Sequence, residues 1–207
     1  MKLTTSAFQD GDRIPGVHAF CVPGDPVSMS ENINPDFAWE EVPEGTKSFI
    51  FVCNDPDVPT DGTNVNKEGL TVPKDLLRAD FYHWVLVDLP PNLTELKRGE
   101  WSQGITARGK QAKEGPHGTR QGLNDYTNWF KGDEAMEGKY FGYDGPCPPW
   151  NDELVHRYVF TVYALDVEKL EGLPDEFTGS DVLKAIEGHV LGHASVTGTY
   201  TLYKALL

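Results

Sequence analysis

Residues 154–165 have the sequence LVHRYVFTVYAL, which contains the clearest strand pattern of the chain. Side chains alternate between the two faces of a β-strand. One predicted face therefore carries His156, Tyr158, Phe160, Val162 and Ala164. The opposite face carries Val155, Arg157, Val159, Thr161, Tyr163 and Leu165. This alternation predicts a β-strand from Leu154 to Leu165.

Three further stretches are predicted strands, and the four together give a mainly β protein. Ser48 to Cys53 is apolar after the serine and rich in β-forming residues, so we expect burial on both faces. Phe81 to Val87 ends at Asp88, before two prolines, and His193 to Tyr203 is rich in Thr, Tyr and Val. The 21 glycines and 15 prolines are spread along the chain, which is typical of strands joined by turns.

One helix is predicted near the C-terminus. Thr178 and Asp181 have the spacing of a capping box, with Asp in place of the usual Glu. The apolar residues that follow fall on one helical face: Val182, Leu183, Ile186 and Val190. Gly192 suits the end of this helix, because glycine adopts the left-handed conformation common at that position.

Length and charge exclude several classes of protein. A chain of 207 residues is predicted to form one domain, residues 1–207. It has 18 Lys and Arg against 32 Asp and Glu, a formal net charge of −14. Nucleic-acid binding needs clustered basic residues to displace counterions, so we exclude a nucleic-acid partner. The charge also disfavours anionic membrane surfaces, and no apolar run of about 18 residues offers a transmembrane segment.

The cysteines and the N-terminus bear on location. Cys21, Cys53 and Cys147 are too few and too scattered for a disulfide framework, and none lies in a C-x-x-C pair. Zinc and redox motifs are therefore not expected. Residues 1–8 lack the continuous apolar segment of a signal peptide. We expect a cytoplasmic protein.

Two short motifs hold polar side chains within or beside the predicted strands. The segment Asp55-Pro56-Asp57-Val58-Pro59 follows a buried strand, and its prolines restrict the backbone. It forms either a stiff carboxylate at a pocket rim or an ordinary Asp-Pro turn. His83 lies inside an apolar strand and needs a partner, because a buried polar group without one costs about 1–3 kcal/mol. That partner is either a ligand or a carboxylate in the core.

A third motif combines a proline-rich stretch with a histidine and a tyrosine. Residues 145–150 have the sequence GPCPPW, a stiff and extended segment that suits a pocket wall with outward-facing carbonyls. His156 and Tyr158 are two apart on a strand, so their side chains project the same way, about 6.6–6.8 Å apart. An imidazole and a phenol on one face are natural donors for an anionic oxygen. The alternative is a half-buried strand end with Arg157 on the solvated face.

Metal and nucleophile motifs are missing from the sequence. His189 and His193 are four apart, but Gly192 lies between them and no acidic partner follows, so no metal is expected there. The chain contains no G-x-S-x-G, H-E-x-x-H, P-loop or G-x-G-x-x-G motif. We therefore expect no cofactor and assign no catalytic residue.

Several of these motifs, in this order, resemble the phosphatidylethanolamine-binding protein family. The resembling blocks are residues 32–48, Asp55-Pro56-Asp57-Val58-Pro59, Phe81-Tyr82-His83-Trp84, Gly145-Pro146-Cys147-Pro148-Pro149 and His156-Arg157-Tyr158-Val159-Phe160. The Cys-Pro-Pro form and the sequence at residues 163–166 look most like the bacterial branch named after Raf-kinase inhibitor proteins. The resemblance runs from Phe8 to Tyr203, nearly the whole chain.

The resemblance implies both a fold and a binding site. The fold is an antiparallel β-sandwich with a large and a small sheet and few helices. The site is an anion pocket, supported by the neighbouring Asp57 and lined by Asp55, His83, Gly145, Pro146, His156 and Tyr158. Two segments, Asp61 to Asp80 and Tyr126 to Tyr143, are longer than the family's usual links, and we expect them to border the pocket mouth.

The leading hypothesis is a cytoplasmic, non-enzymatic binding protein for a small ligand that bears a phosphate or carboxylate, such as a phospholipid headgroup. His83, His156 and Tyr158 would donate hydrogen bonds to the anion, while Asp55 would orient an imidazole or meet a cationic part of the ligand. One alternative is an interaction module that inhibits a kinase or a protease. Another is a hydrolase that uses Asp and His as general base and acid. The resemblance is also compatible with a homodimer.

The two pocket histidines predict a pH dependence. An ordinary histidine titrates near pH ~6.5 and is the better donor when protonated. Anion binding is therefore expected to strengthen as the pH falls from about 8 to 6, with uptake of protons.

Overall fold

The chain folds into ten β-strands and two short α-helices in a computed structural model that describes residues 1–207. The strands are β1 (Lys2–Thr4), β2 (Cys21–Val22), β3 (Ser28–Met29), β4 (Phe37–Glu40), β5 (Ser48–Pro59), β6 (Arg78–Leu89), β7 (Glu95–Leu96), β8 (Arg120–Gln121), β9 (His156–Leu165) and β10 (Val190–Tyr200). The helices are α1 (Tyr126–Trp129) and α2 (Gly179–Ala185). Single turns of 3₁₀ helix lie at Gly16–His18, Pro116–Gly118 and Lys204–Leu206.

The strands form a large and a small antiparallel sheet, which confirms the mainly β architecture. The large sheet has the strand order β10-β9-β5-β6-β8, and the small sheet has the order β1-β4-β7. β2 and β3 form a separate antiparallel pair. β5 and β9 lie next to each other at the centre of the large sheet.

The small sheet packs on one face of the large sheet through aromatic side chains. The ring of Phe37 on β4 lies 4.8 Å from that of Phe51 on β5 and 4.7 Å from that of Phe160 on β9. Trp39 packs edge-on against Phe49, with 5.3 Å between ring centroids. Pairs of this kind add about 0.5–1.5 kcal/mol each beyond the burial of their surface. The main core therefore lies between the two sheets.

Helix α2 covers the opposite face of the large sheet. Ile50 and Val52 of β5 belong to a second apolar cluster that includes Val182 and Ile186 from the region of α2. Phe49 and Phe51, one position along the strand, lie in the main core instead. β5 is thus buried on both faces, as its continuous apolar run predicts.

The strands lie where the sequence places them, and their ends differ. The predicted strand at residues 154–165 begins two residues later, and the predicted strand at 193–203 runs from Val190 to Tyr200. The segment after Cys53 does not form a turn. β5 continues to Pro59, with an irregular register opposite β6 between Asp55 and Val58. Proline has no N–H to donate to the ladder, so this irregularity lets the strand continue through both prolines.

The predicted capping box of α2 is confirmed, and the predicted C-terminal end of this helix is wrong. The Thr178 hydroxyl accepts from the Asp181 N–H, while the Asp181 carboxylate accepts from the Thr178 N–H. The helix stops at Ala185, and Gly188 adopts a φ of +85° in the following turn. Gly192 therefore lies in β10 and does not cap the helix. No helix of the structure has the length and apolar character needed to cross a bilayer.

Cys21 and Cys147 form a disulfide, so the expectation from cysteine number and spacing is wrong. Their Cα atoms lie 4.8 Å apart although 126 residues separate them. The N–H groups of Phe20 and Cys21 both donate to the Pro146 carbonyl, at 2.9 and 3.1 Å, and so bring the two segments together. Cys53 stays free and buried. Disulfides are typical of oxidising compartments, so the cysteines do not support the expected cytoplasmic location.

Candidate functional site

A pocket opens beside three neighbouring strands of the large sheet, β5, β6 and β9. Helix α1 and the proline-rich segment before β9 complete it. The recess and its solvent-open mouth together contain about 340 Å³ of empty space. The lining residues are Asp55, Val58, Phe81, His83, Tyr126, Trp129, Cys147, Pro148, Pro149, His156 and Tyr158. The three motifs singled out in the sequence thus meet in one place.

His156 lies between two carboxylates. Its Nδ1 is 2.6 Å from Oδ2 of Asp55, and its Nε2 is 3.1 Å from Oδ2 of Asp152. Arg78 in turn donates to both oxygens of Asp152, at 2.6 and 3.1 Å. Burial lowers the pKa of His156, but the hydrogen bonds to Asp152 and Asp55 outweigh it and raise the pKa to about 9. His156 is therefore charged at neutral pH, with both ring nitrogens engaged.

This geometry changes the role expected of His156. A ring with both nitrogens bonded to protein carboxylates has no N–H left for a ligand. His156 instead fixes the orientation of the Asp55 carboxylate, whose Oδ1 also accepts from the Asp57 N–H at 2.8 Å. His156 is thus a positioning residue, and Asp55 is the group it presents to the pocket.

His83 has one nitrogen bound to the protein and one free. Its Nδ1 lies 2.7 Å from the Asp144 carbonyl, which can only accept, so Nδ1 carries the proton. Burial lowers the pKa of His83 to about 4, despite the favourable charge of Asp55. The neutral ring therefore offers the lone pair of Nε2 to the pocket. The pKa values of about 4 for His83 and about 9 for His156 lie outside the range from pH 6 to 8 on which the expected pH dependence of anion binding relied.

The Asp144 carbonyl is held by a buried network on its own side chain. The carboxylate accepts from Lys110 and Asn32, each at 2.7 Å, and from Asn124 at 2.9 Å. Asn32 also accepts from the Gly145 N–H at 2.8 Å. These bonds fix the carbonyl that sets the proton position on His83.

Tyr158 supplies the free hydroxyl of the pocket. Its side chain is 1% exposed, and its hydroxyl lies near the Asp55 carboxylate without completing a hydrogen bond of good geometry in the protein. Its ring packs edge-on against His83, with 5.1 Å between centroids. The neighbouring hydroxyl of Tyr126 is already used, because it donates to the Gly145 carbonyl at 2.8 Å. Tyr158 is thus the buried donor left for a ligand.

Three of the predicted site residues support the pocket from behind and do not line it. Asp57 faces Arg157, which donates to it from Nε at 2.8 Å and from Nη2 at 2.7 Å, joining β5 to β9. Gly145 is packed so tightly that an added Cβ would lie 2.0 Å from the His18 carbonyl oxygen. The Pro146 carbonyl accepts from the backbone of residues 20 and 21, so it does not face outward. The wall is made by residues 147–149.

The sequence reasoning missed an aromatic side of the pocket and one acidic residue. Tyr126 and Trp129 come from α1, so the segment from Tyr126 to Tyr143 does border the pocket. The only signal was the presence of aromatic residues in a polar stretch. Asp152 gave the weaker signal of an acid just before the strand of His156. The segment from Asp61 to Asp80 contributes no lining residue.

The segment from Asp61 to Asp80 is anchored beside the site instead. The Asn151 side-chain amide donates to the carbonyls of Asn64 and Leu70, each at 2.9 Å. His189 and His193 are also absent from the pocket: His189 bonds to Asp166 at 2.8 Å, and His193 stacks on Tyr163. The polar chemistry of the site therefore rests on Asp55, His83 and Tyr158.

The chain is similar to proteins of bacteria and archaea along nearly its whole length. It is 33% identical to the UPF0098 protein YbhB of Escherichia coli, covering 97% of this chain and 100% of that protein. It is 34% identical to a UPF0098 protein of Methanothermobacter thermautotrophicus, covering 97% and 98%. These relatives match the full extent of the fold.

Solved structures and a family model also match the chain along nearly its whole length. The crystal structure of E. coli YbcL, described as a new member of the mammalian PEBP family, aligns with a TM-score of 0.70 at 27% identity, covering 97% of each chain. A putative phosphatidylethanolamine-binding protein homologue from Chlamydia trachomatis aligns with a TM-score of 0.63 at 28% identity, covering 96% and 95%. The family model for phosphatidylethanolamine-binding protein matches residues 4–201. With its two-sheet fold and whole-length similarity, the chain belongs to the phosphatidylethanolamine-binding protein family.

Proposed function

We propose that this protein binds a small ligand through a phosphate-type anionic group, without turning it over. The observation that carries this proposal is the Tyr158 hydroxyl, which is buried at the pocket beside Asp55 and completes no hydrogen bond of good geometry within the protein. A buried hydroxyl without a hydrogen bond costs about 1–3 kcal/mol, and a ligand oxygen that accepts from it removes this cost. Family membership is consistent with a ligand-binding or regulatory role.

The pocket has a polar end and an apolar side, which suits a ligand of mixed character. Asp55, His83 and Tyr158 supply the polar groups. Phe81, Trp129 and the prolines supply rigid apolar surface. Ligand sites commonly combine such a surface with a few oriented polar groups. The anionic group would therefore bind at the polar end, and a carbon substituent would lie along Trp129.

Binding without turnover is proposed because the pocket lacks a free nucleophile. Its lining contains no serine or threonine, and Cys147 is held in the disulfide. Asp55 is engaged by His156 and by the Asp57 N–H. A hydrolase built on Asp and His would need one of these groups to activate water. Incubation with p-nitrophenyl phosphate and p-nitrophenyl acetate tests this, and hydrolysis that Asp55→Asn abolishes would contradict the proposal.

Isothermal titration calorimetry with methyl phosphate tests the binding itself. Tyr158→Phe removes only the hydroxyl and is expected to weaken binding about tenfold to hundredfold, the cost of a hydrogen bond to a charged group. Tyr163→Phe is the matched control, since Tyr163 is on the same strand and outside the pocket. Equal affinity of Tyr158→Phe and the unaltered protein would refute the assignment.

A further inference from the structure

One half of the Cys21–Cys147 disulfide belongs to the wall of the pocket. Cys147 lines the pocket together with Pro148 and Pro149, whereas Cys21 does not. Cys147 is partly exposed and the recess beside it opens to solvent, while Cys21 is buried. A reductant in solution would therefore meet the disulfide from the Cys147 side.

The wall segment, residues 146–149, has few attachments besides the disulfide. Proline has no N–H, so Cys147 carries the only backbone donor in this segment. No backbone hydrogen bond reaches the N–H or the carbonyl of Cys147, or the carbonyl of Pro148. The bonded groups lie at the two ends: the Pro146 carbonyl accepts as described above, and the Pro149 carbonyl accepts from the Asp152 N–H at 3.1 Å. The disulfide thus ties down the middle of the wall segment.

The Cys21 end of the disulfide is held firmly by the core. The neighbouring Phe20 is buried, and its ring stacks on that of Tyr126 with 4.6 Å between centroids. The Cys21 carbonyl accepts from the Tyr200 hydroxyl at 3.0 Å. Aromatic packing and this hydrogen bond fix the position of Cys21, and the disulfide passes that constraint to Cys147.

We propose that the Cys21–Cys147 disulfide is a redox switch that holds the pocket wall in place until a dithiol reduces it. One thiolate of the dithiol attacks Sγ of Cys147, and the Cys21 sulfur leaves as a thiolate that takes up a proton. The second thiol of the reductant then attacks the mixed disulfide and releases Cys147 as a thiol. The reductant ends as a disulfide, and the protein gains two electrons and two protons.

Reduction is expected to release the wall segment as a stiff unit. Its prolines keep the backbone extended, so the segment moves about its hydrogen-bonded ends and does not collapse. Cys147 and Pro148 lie between those ends, so their side of the pocket is displaced most. The reduced protein therefore has a looser pocket. The loss of ligand affinity rests on the proposed function, whereas the release of the wall does not.

Amide hydrogen exchange followed by NMR measures the release of the wall, with dithiothreitol as the reductant. The amides of Phe20 and Cys21 report on the wall segment, because both donate to the Pro146 carbonyl. The Gly122 amide is the control, since it donates to the Val85 carbonyl at 2.9 Å beside the second apolar cluster. Reduction is expected to accelerate exchange at Phe20 and Cys21 about tenfold more than at Gly122.

A variant separates the opening of the disulfide from other effects of the reductant. Cys21→Ser removes the disulfide and leaves the lining residues of the pocket unchanged. Without reductant this variant is expected to exchange like the reduced protein, and dithiothreitol should change it no further. In calorimetry, methyl phosphate is expected to bind about tenfold weaker to both open forms than to the oxidised protein.

The outcomes separate this inference from the proposed function. The switch is refuted if dithiothreitol leaves the disulfide of the folded protein intact, or if Gly122 exchange accelerates as much as that of Phe20 and Cys21. It is also refuted if the reduced protein binds methyl phosphate as tightly as the oxidised protein. If neither form binds methyl phosphate, the proposed function fails, and the exchange rates alone decide whether the disulfide holds the wall. Should Cys21→Ser not fold, reduction of the unaltered chain still gives both measurements.

Discussion

The two pocket histidines are expected to stabilise the fold in opposite pH ranges. The ordinary histidine pKa of 6.5 is lowered to about 4 in His83 and raised to about 9 in His156. One pH unit of displacement corresponds to about 1.4 kcal/mol, so each histidine changes the free energy of unfolding by about 3 kcal/mol.

The sign differs between the two histidines. The raised pKa of His156 means that its contribution is fully present below pH 6.5 and is lost as the pH rises through about 9. Because the pKa of His83 is lower in the folded chain, the unfolded chain binds this proton at a higher pH than the folded chain does. Stability is therefore lost as the pH falls from 6.5 to about 4. The sum of the two contributions to the free energy of unfolding is therefore largest near pH 6.5.

Urea unfolding at pH 4.5, 6.5 and 9 measures these losses. His83→Gln is expected to flatten the acid side, and His156→Gln the alkaline side. His189→Gln is the control, because that histidine pairs with Asp166 outside the pocket. Burial also raises the pKa of the Cys53 thiol, which lowers stability in the alkaline range. The contribution of a histidine is therefore taken as the difference in unfolding free energy between the variant and the unaltered protein at the same pH.

Direct titration of the imidazole C–H resonances by NMR gives the decisive result. His83 is expected to stay neutral down to about pH 4, and His156 to stay charged up to about pH 9. If both titrate between pH 6 and 7, the positions of their protons are wrong. The assignment of Nε2 of His83 as an acceptor then fails as well.

Three further substitutions and one control test the disulfide, the support of the pocket wall and the capping box. Cys21→Ser opens the disulfide, which closes a loop of 126 residues, and chain entropy predicts a loss of about 5 kcal/mol at most. Without reductant, the denatured unaltered protein should show one free thiol, that of Cys53, and three would refute the pairing. Gly145→Ala is expected to cost about 1–3 kcal/mol and to weaken methyl phosphate binding, because the new Cβ meets the His18 carbonyl. Gly62→Ala, which meets nothing, should do neither. Thr178→Ala is expected to cost about 1 kcal/mol in urea unfolding through the lost cap of α2, and an unchanged value would count against the capping box.

Local patterns in the sequence determined the strands and the capping box. The alternation at residues 154–165 and the continuous apolar run after Ser48 report burial on one or two faces, because a strand repeats every two residues. The box at Thr178 and Asp181 lies within four residues of chain. Such features depend on near neighbours, so a single sequence contains them.

Tertiary structure alone decided what the site residues do. The sequence motifs predict Asp55, His83 and Tyr158 as site residues, but the roles of these residues depend on hydrogen-bond partners far away in the chain. His156 loses its expected donor role because Asp55, 101 residues away, and Asp152 take both its nitrogens. Nε2 of His83 becomes an acceptor because Nδ1 keeps its proton and donates it in a hydrogen bond to the Asp144 carbonyl, 61 residues away. Hydrogen bonds and disulfides require atoms within a few ångströms, and only the folded chain sets those distances.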